Sequence, residues 1–191
     1  KTSLAAELAP LGAERYRAEQ IYGWINRGAD FPEMSNVPKA LRGRLAEEYD
    51  AVGAAIIKEA VSRDGTVKFL FRLRDGSLIE GVLMKYKYGY TMCVSTQVGC
   101  RMGCAFCASG KDGLFRNLTA GEMLGEVICA NSYLEKKDPG ARVGNVVLMG
   151  SGEPLDNYEN VTAFIRLLTE GQGVGQRGIS LSTCGLTGNI R

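Results

Sequence analysis

Cys100, Cys104 and Cys107 fall within eight residues, in the run Gly99-Cys100-Arg101-Met102-Gly103-Cys104-Ala105-Phe106-Cys107. A structural zinc or an ordinary iron–sulfur cluster takes four protein ligands, so a C-x3-C-x2-C group points to a metal centre with one position left for something that reacts. Gly99 and Gly103 permit the tight loop in which three thiolates converge. The chain has six cysteines in 191 residues. That is too long a chain to need disulfide staples, and pairing within the bunch would be strained, so metal ligation explains the spacing better. Cys93, seven residues before Cys100, is either a small buried strand residue or a fourth ligand to zinc.

Histidine is absent, which removes histidine-based triads and the usual histidine-bearing zinc hydrolase sites. Acid–base chemistry near neutral pH falls to cysteine, a carboxylate or the substrate. The 23 basic and 21 acidic side chains leave a net charge of +2, which neither supports nor excludes a nucleic-acid partner. No apolar run is long enough to span a bilayer, and Lys1 to Pro10 does not read as a signal peptide. A cytoplasmic location without membrane attachment is expected.

The elements that position the cysteines fall into three stretches. Residues 1–50 read as a helical accessory domain, with helices over Ala13–Asn26 and from about Pro38 to Asp50. Arg15, Arg17, Lys39, Arg42 and Arg44 lie on it, as a solvated surface or an RNA-facing patch. Residues 51–90 read as a short antiparallel β extension. Asp64-Gly65 and Asp75-Gly76 are hairpin turns, and Val67, Phe69, Phe71 and Leu73 supply an apolar face. The run Lys85-Tyr86-Lys87-Tyr88-Gly89-Tyr90 suits RNA stacking or an exposed turn equally well.

From residue 91 the pattern is strand, loop, helix, repeated. Strands are expected over Thr91–Thr96, Val146–Met149 and Gly178–Thr183, with helices from Thr119 to about Lys136 and from about Tyr158 to Thr169. Three parallel strands cannot close a barrel, so residues 91–191 are expected to form a first part, completed by a missing C-terminal half.

The cysteine spacing, with Cys93-Val94-Ser95-Thr96-Gln97-Val98-Gly99-Cys100 before it and Gly113-Leu114-Phe115-Arg116-Asn117-Leu118 after it, resembles the radical S-adenosylmethionine superfamily. Within it the chain is most similar to the adenine-C2 methyltransferases acting on 23S rRNA and tRNA. Gly150-Ser151-Gly152-Glu153-Pro154-Leu155-Asp156-Asn157-Tyr158 and Ile179-Ser180-Leu181-Ser182-Thr183-Cys184-Gly185 are similar to further motifs of that family. The resemblance covers essentially the whole chain.

It implies an α/β fold, an incomplete radical-SAM (β/α) barrel preceded by the helical domain and β extension. It implies that Cys100, Cys104 and Cys107 hold a [4Fe-4S] cluster whose open iron binds S-adenosyl-L-methionine, reduced by an external one-electron donor. Glu153 would place the methionine amino group, Gly150, Gly152 and Pro154 would shape that loop, and Ser182 would contact the carboxylate. In the family a 5'-deoxyadenosyl radical activates a methyl group carried on a cysteine near the C-terminus, and a second cysteine releases the product by forming a disulfide. Cys93 is similar by position to that second cysteine, and Glu80 to a glutamate near the active site. The methyl-carrying cysteine is expected outside this chain, which alone would then be inactive in methyl transfer. Carbon 2 of adenine has no lone pair with which to attack a methyl group, so a radical route suits it. The sister enzymes that methylate carbon 8 of the same ribosomal adenine, giving antibiotic resistance, are the near alternative. A non-catalytic RNA module with zinc on Cys93, Cys100, Cys104 and Cys107 is the distant one.

Overall fold

The computed structural model of the chain describes residues 2–186, 188 and 190. The chain divides into two units, Lys1–Val52 and Gly53–Arg191. In the first, Pro10 and Gly12 interrupt the helical pattern, so α1 (Thr2–Leu8) ends before α2 (Arg15–Ile25), and α3 (Lys39–Glu48) follows a short turn. Leu8, Ile21, Phe31, Met34, Val37 and Leu45 bury one another as its core. The seven residues of α1 are too few for periodicity to mark them as a separate helix.

In the second unit, β1 (Ala55–Val61), β2 (Val67–Arg72) and β3 (Leu78–Tyr86) form the meander that the two Asp-Gly turns dictate. Asp64 and Asp75 accept the amides of Thr66 and Ser77, closing each turn locally. Phe69 and Phe71 are fully buried. Truncating either to alanine would cost about 3–5 kcal/mol. The meander is not a separate layer, because β3 pairs antiparallel with β4 (Gly89–Cys93), Val82 opposite Cys93.

Two more strands complete the sheet. The chain leaves β4, forms a two-stranded hairpin of β5 (Gln97–Gly99) and β6 (Leu114–Asn117), and enters α4 (Ala120–Lys137). Thr119 and Glu122 cap α4 reciprocally. Met123, Val127 and Leu134 face the core, as their spacing suggests. Next come β7 (Val143–Leu148), α5 (Tyr158–Leu167) and β8 (Ile179–Leu181). The six-stranded order is β1-β2-β3-β4-β7-β8, with β4, β7 and β8 parallel. This is a mixed α/β sheet whose parallel half has the strand–helix alternation of the incomplete barrel expected from the sequence. None of the described helices is long and apolar enough to cross a membrane.

Side chains alternate along a strand, so the sheet has a helix-covered face and an open face. Met92, Val146 and Leu148 are buried beneath the helices. Cys93, whose register partner is Val82, lies on the open face, and so does Glu80, two residues from Val82.

Candidate metal centre

The cysteines occupy the loop of the β5–β6 hairpin, at the exit of β4. The Cys100 amide donates to the Gly113 carbonyl at 2.9 Å, and the Cys107 amide to the Cys104 carbonyl at 3.0 Å. Gly99, with φ +77°, approaches the other side of the hairpin so closely that a Cβ would stand 2.1 Å from the Gly113 oxygen. No larger residue fits there. Cys100 is buried, Cys104 and Cys107 are half-buried, and all six cysteines of the chain are free thiols. Among the described residues, no three Cys, Asp or Glu side chains converge closely enough to hold a metal ion. The three sulfurs therefore share one pinned loop without meeting at one point. Soft, unpaired thiols at this spacing still suit a thiophilic metal cluster.

A second loop, leaving β7, is bonded to the base of the first. The Gly150 amide donates to Val94 O at 3.0 Å, and Ser151 O accepts the Thr96 amide at 2.8 Å. The hydroxyls of Ser109 and Ser151 lie 3.1 Å apart. Gly152 adopts φ +106°, and a Cβ on it would meet the Gln97 Cβ at 2.6 Å. Pro154 is buried at the start of a 3-10 turn.

Glu153 is 3% exposed. Its Oε1 accepts the Leu155 amide at 2.9 Å and the Thr183 hydroxyl at 2.7 Å, and its Oε2 accepts the Cys184 amide at 2.8 Å. Burial opposes its ionisation, but these donors outweigh burial and hold the carboxyl below the usual range. The bond to Glu153 raises the Cys184 thiol, with a smaller contribution from nearby Cys104. Thus the exits of β4, β7 and β8 are gathered at one end of the parallel strands. Ser182, exposed just beyond β8, stands next to Thr183 in this group.

Cys93 sits half-buried at the end of β4. Burial pushes its thiol up, a backbone hydrogen bond at Met149 works against that, and Glu126 adds to it. The Glu80 carboxylate pairs with Lys68 at 2.7 Å, while its carbonyl accepts the Ser95 hydroxyl at 2.7 Å. It shares the open face with Cys93. Arg116 bonds Asp75 at 2.7 Å and Glu122 at 2.8 Å, so it orders the loop beyond the cysteines.

Several residues that hold the site together carried no signal of their own. Gln97 donates to Asn117 and Asp156, and Arg101 pairs with Asp156. Buried Asn157 donates to the carbonyls of Thr96 and Leu118, both at 2.8 Å. These amides fall inside the quoted runs, but their partners lie up to 61 residues away. Spacing alone does not reveal such pairs.

Residues 1–50 match the family described as the ribosomal RNA large subunit methyltransferase N-terminal domain. The chain is 49% identical over 185 residues to a probable dual-specificity RNA methyltransferase RlmN of Alkaliphilus metalliredigens, covering 95% of this chain and 51% of that protein. A protein of the same name from Clostridium perfringens is 51% identical, with 94% and 52% covered. A crystal structure of a radical SAM methyltransferase from Sphaerobacter thermophilus superposes with a TM-score of 0.89 at 45% identity, covering 96% of this chain and 55% of that one. The chain spans about half the length of the curated relatives it matches.

Proposed function

We propose that this chain, which matches the N-terminal domain of a ribosomal RNA methyltransferase family and is similar to radical SAM RNA methyltransferases over about half of their length, supplies the cluster-bearing part of an enzyme that methylates carbon 2 of adenine in 23S rRNA and tRNA. The observation that carries this reading is the hydrogen-bonded junction of three strand exits around the cysteine loop. Parallel α/β proteins place their reactive groups at that end.

In this reading Cys100, Cys104 and Cys107 hold a [4Fe-4S] cluster, and S-adenosyl-L-methionine occupies the position they leave open. When bound, the cluster supplies the electron that breaks a carbon–sulfur bond of S-adenosylmethionine. The protein's own residues do the rest. Gly150 and Gly152 stand where a larger side chain would strike Val94 to Gln97, and Pro154 starts the turn that follows, so together they shape this loop. Glu153 orients the methionine amino group. Its oxygens already accept from the Leu155 amide, the Thr183 hydroxyl and the Cys184 amide, so an amino group would join or compete with these donors. Ser182 offers its hydroxyl to the methionine carboxylate.

Cys93 acts on the product side. Its thiolate attacks the sulfur of a thioether formed between the base and a cysteine in the rest of the protein. A sulfur–sulfur bond forms, the carbon–sulfur bond breaks, and the electron pair stays on the carbon that becomes the new methyl group. The resulting disulfide is transient and joins Cys93 to a residue outside this chain. Glu80, on the same face, is the carboxylate nearest in register for moving a proton. The enzyme works in the cytoplasm, where an external one-electron reductant is available, and this portion alone transfers no methyl group.

Anaerobic purification of the whole enzyme tests the reading. Four irons per chain and reductant-dependent cleavage of S-adenosylmethionine are expected. Stoichiometric zinc without cleavage would instead support the zinc-binding RNA module.

A further inference from the structure

Glu126 is a buried carboxylate that the chemistry above does not use. It lies on α4 with 0% of its surface exposed. Its Oε2 accepts the Ser95 amide at 3.2 Å, while Oε1 is buried without a hydrogen-bond partner. The other charge acting on it is Glu122, a second acid. Such a group is costly unless its surroundings are built for it.

They are. Beside it, Gly125 lets α4 approach the chain before β1 so closely that a Cβ would stand 2.7 Å from the Ala54 nitrogen. Across from it on β3, a Cβ on Gly81 would meet Met92 Cε at 2.6 Å, Phe71 Cε2 at 2.8 Å and Glu126 Oε2 at 3.0 Å. The helix is drawn onto the sheet, and a glycine opposite leaves room for the carboxyl.

Ser95 is the point on which Glu126 acts. Its amide goes to Glu126, its hydroxyl donates to Glu80 O at 2.7 Å and accepts the Ser151 amide at 2.9 Å. It therefore joins β3, the exit of β4 and the loop leaving β7. Cys93 lies two residues before it, on the open face of the sheet.

We propose that Glu126 is a positioning residue for Cys93, acting from the helix-covered face through the Ser95 amide to fix the exit of β4 and to set the charge felt by the thiol. The proposal rests on Cys93 being the reactive thiol of the function above. Burial drives the Glu126 carboxyl well above the usual range, against the smaller opposing effect of the Ser95 amide. The groups facing it are the Ser95 amide from the exit of β4, Gly81 from β3, and Glu122 and Cys129 on its own helix, while Cys93, on the other face of β4, is reached only by its charge. Glu122 is held by Arg116, and burial pushes the Cys129 thiol up to about 11. Raising the pH thus sets Glu126 and Cys93 in competition, because a charge on one disfavours a charge on the other.

Iodoacetamide labelling of Cys93 in the whole enzyme, followed by peptide mass spectrometry from about pH 6 to about pH 10, tests this. Glu126→Gln keeps an acceptor for the Ser95 amide but cannot ionise, and is expected to move the midpoint of Cys93 labelling down by on the order of half a pH unit. Glu126→Ala removes the acceptor, and labelling at neutral pH is expected to speed up by about fivefold, the equivalent of one lost hydrogen bond. If the alanine variant does not fold, the glutamine variant decides. Superimposed wild-type and Glu126→Gln profiles would overturn the proposal, whether or not the enzyme is active. Labelling reads the thiol without requiring methyl transfer, so an enzyme with Glu126-dependent labelling but no methylated RNA would contradict the function alone.

Discussion

The Thr183 hydroxyl, just beyond β8, donates to Glu153 Oε1 on the loop leaving β7 at 2.7 Å. Two neighbouring strand exits are tied together by this bond and by the Cys184 amide on the same carboxylate at 2.8 Å.

Glu153→Ala strands the donors on Leu155, Thr183 and Cys184. The buried Leu155 donor left unpartnered costs about 1–3 kcal/mol, and those on Thr183 and Cys184, which water can reach, cost less. The expected outcome is iron content near wild type with S-adenosylmethionine cleavage down by at least about tenfold, the result of roughly 1.4 kcal/mol of lost positioning. Parallel iron and cleavage assays check it. Glu153→Gln, which keeps an acceptor, should fall between.

Gly99 and Gly103 both have positive φ, at +77° and +65°, but only at Gly99 would a Cβ strike a neighbour. Gly103→Ala should cost the backbone strain alone, about 1–2 kcal/mol, and retain iron. Gly99→Ala should break the hairpin that closes the cysteine loop and lose most of the iron. Equal iron in both variants would mean that this close approach does not matter.

Glu126 also makes stability depend on pH with a definite sign. Its carboxyl titrates higher in the folded than in the unfolded chain. Below the unfolded value of about 4.3 both states keep the proton. Above it the unfolded chain releases the proton while the folded chain retains it, so stability falls with rising pH until the folded carboxyl also ionises. Glu126→Gln lacks this loss. Its stability advantage over wild type should grow above about pH 4.3, by up to about 1.4 kcal/mol per pH unit. Urea denaturation at several pH values measures it, and a constant difference between the two proteins would count against the raised carboxyl.

The cysteine loop was legible as a candidate metal site because ligand chemistry demands closely spaced thiols, and the hairpin turns because Asp-Gly pairs encode them locally. The Thr119–Glu122 cap was legible for the same reason. The β5–β6 hairpin was not, since strands of three and four residues carry no period to detect. Glu126 was invisible too: an acid early in a helix reads as a solvated residue, and only packing shows Gly125 and Gly81 making room for it. The run from Lys85 to Tyr90 suited RNA by composition. Its Tyr86 and Tyr88 rings do stack, 5.1 Å apart, but before the start of β4, whereas the cysteine loop lies beyond its end.

Cys93→Ala separates the two halves of the proposed chemistry. Iron binding and S-adenosylmethionine cleavage should persist, because Cys93 is not one of the three assigned ligands. Product release should fail, leaving RNA attached to protein through the thioether that no thiol can now resolve. Denaturing gel electrophoresis of labelled RNA would show the adduct. Loss of iron in this variant would instead mark Cys93 as a ligand.

The central claim is tested most directly by identifying the methylated nucleoside. Mass spectrometry of 23S rRNA and tRNA treated with the whole enzyme, S-adenosylmethionine and a one-electron reductant should find 2-methyladenosine in both. An 8-methyl product, or no methylated adenosine from enzyme that holds its full complement of iron, would contradict the account.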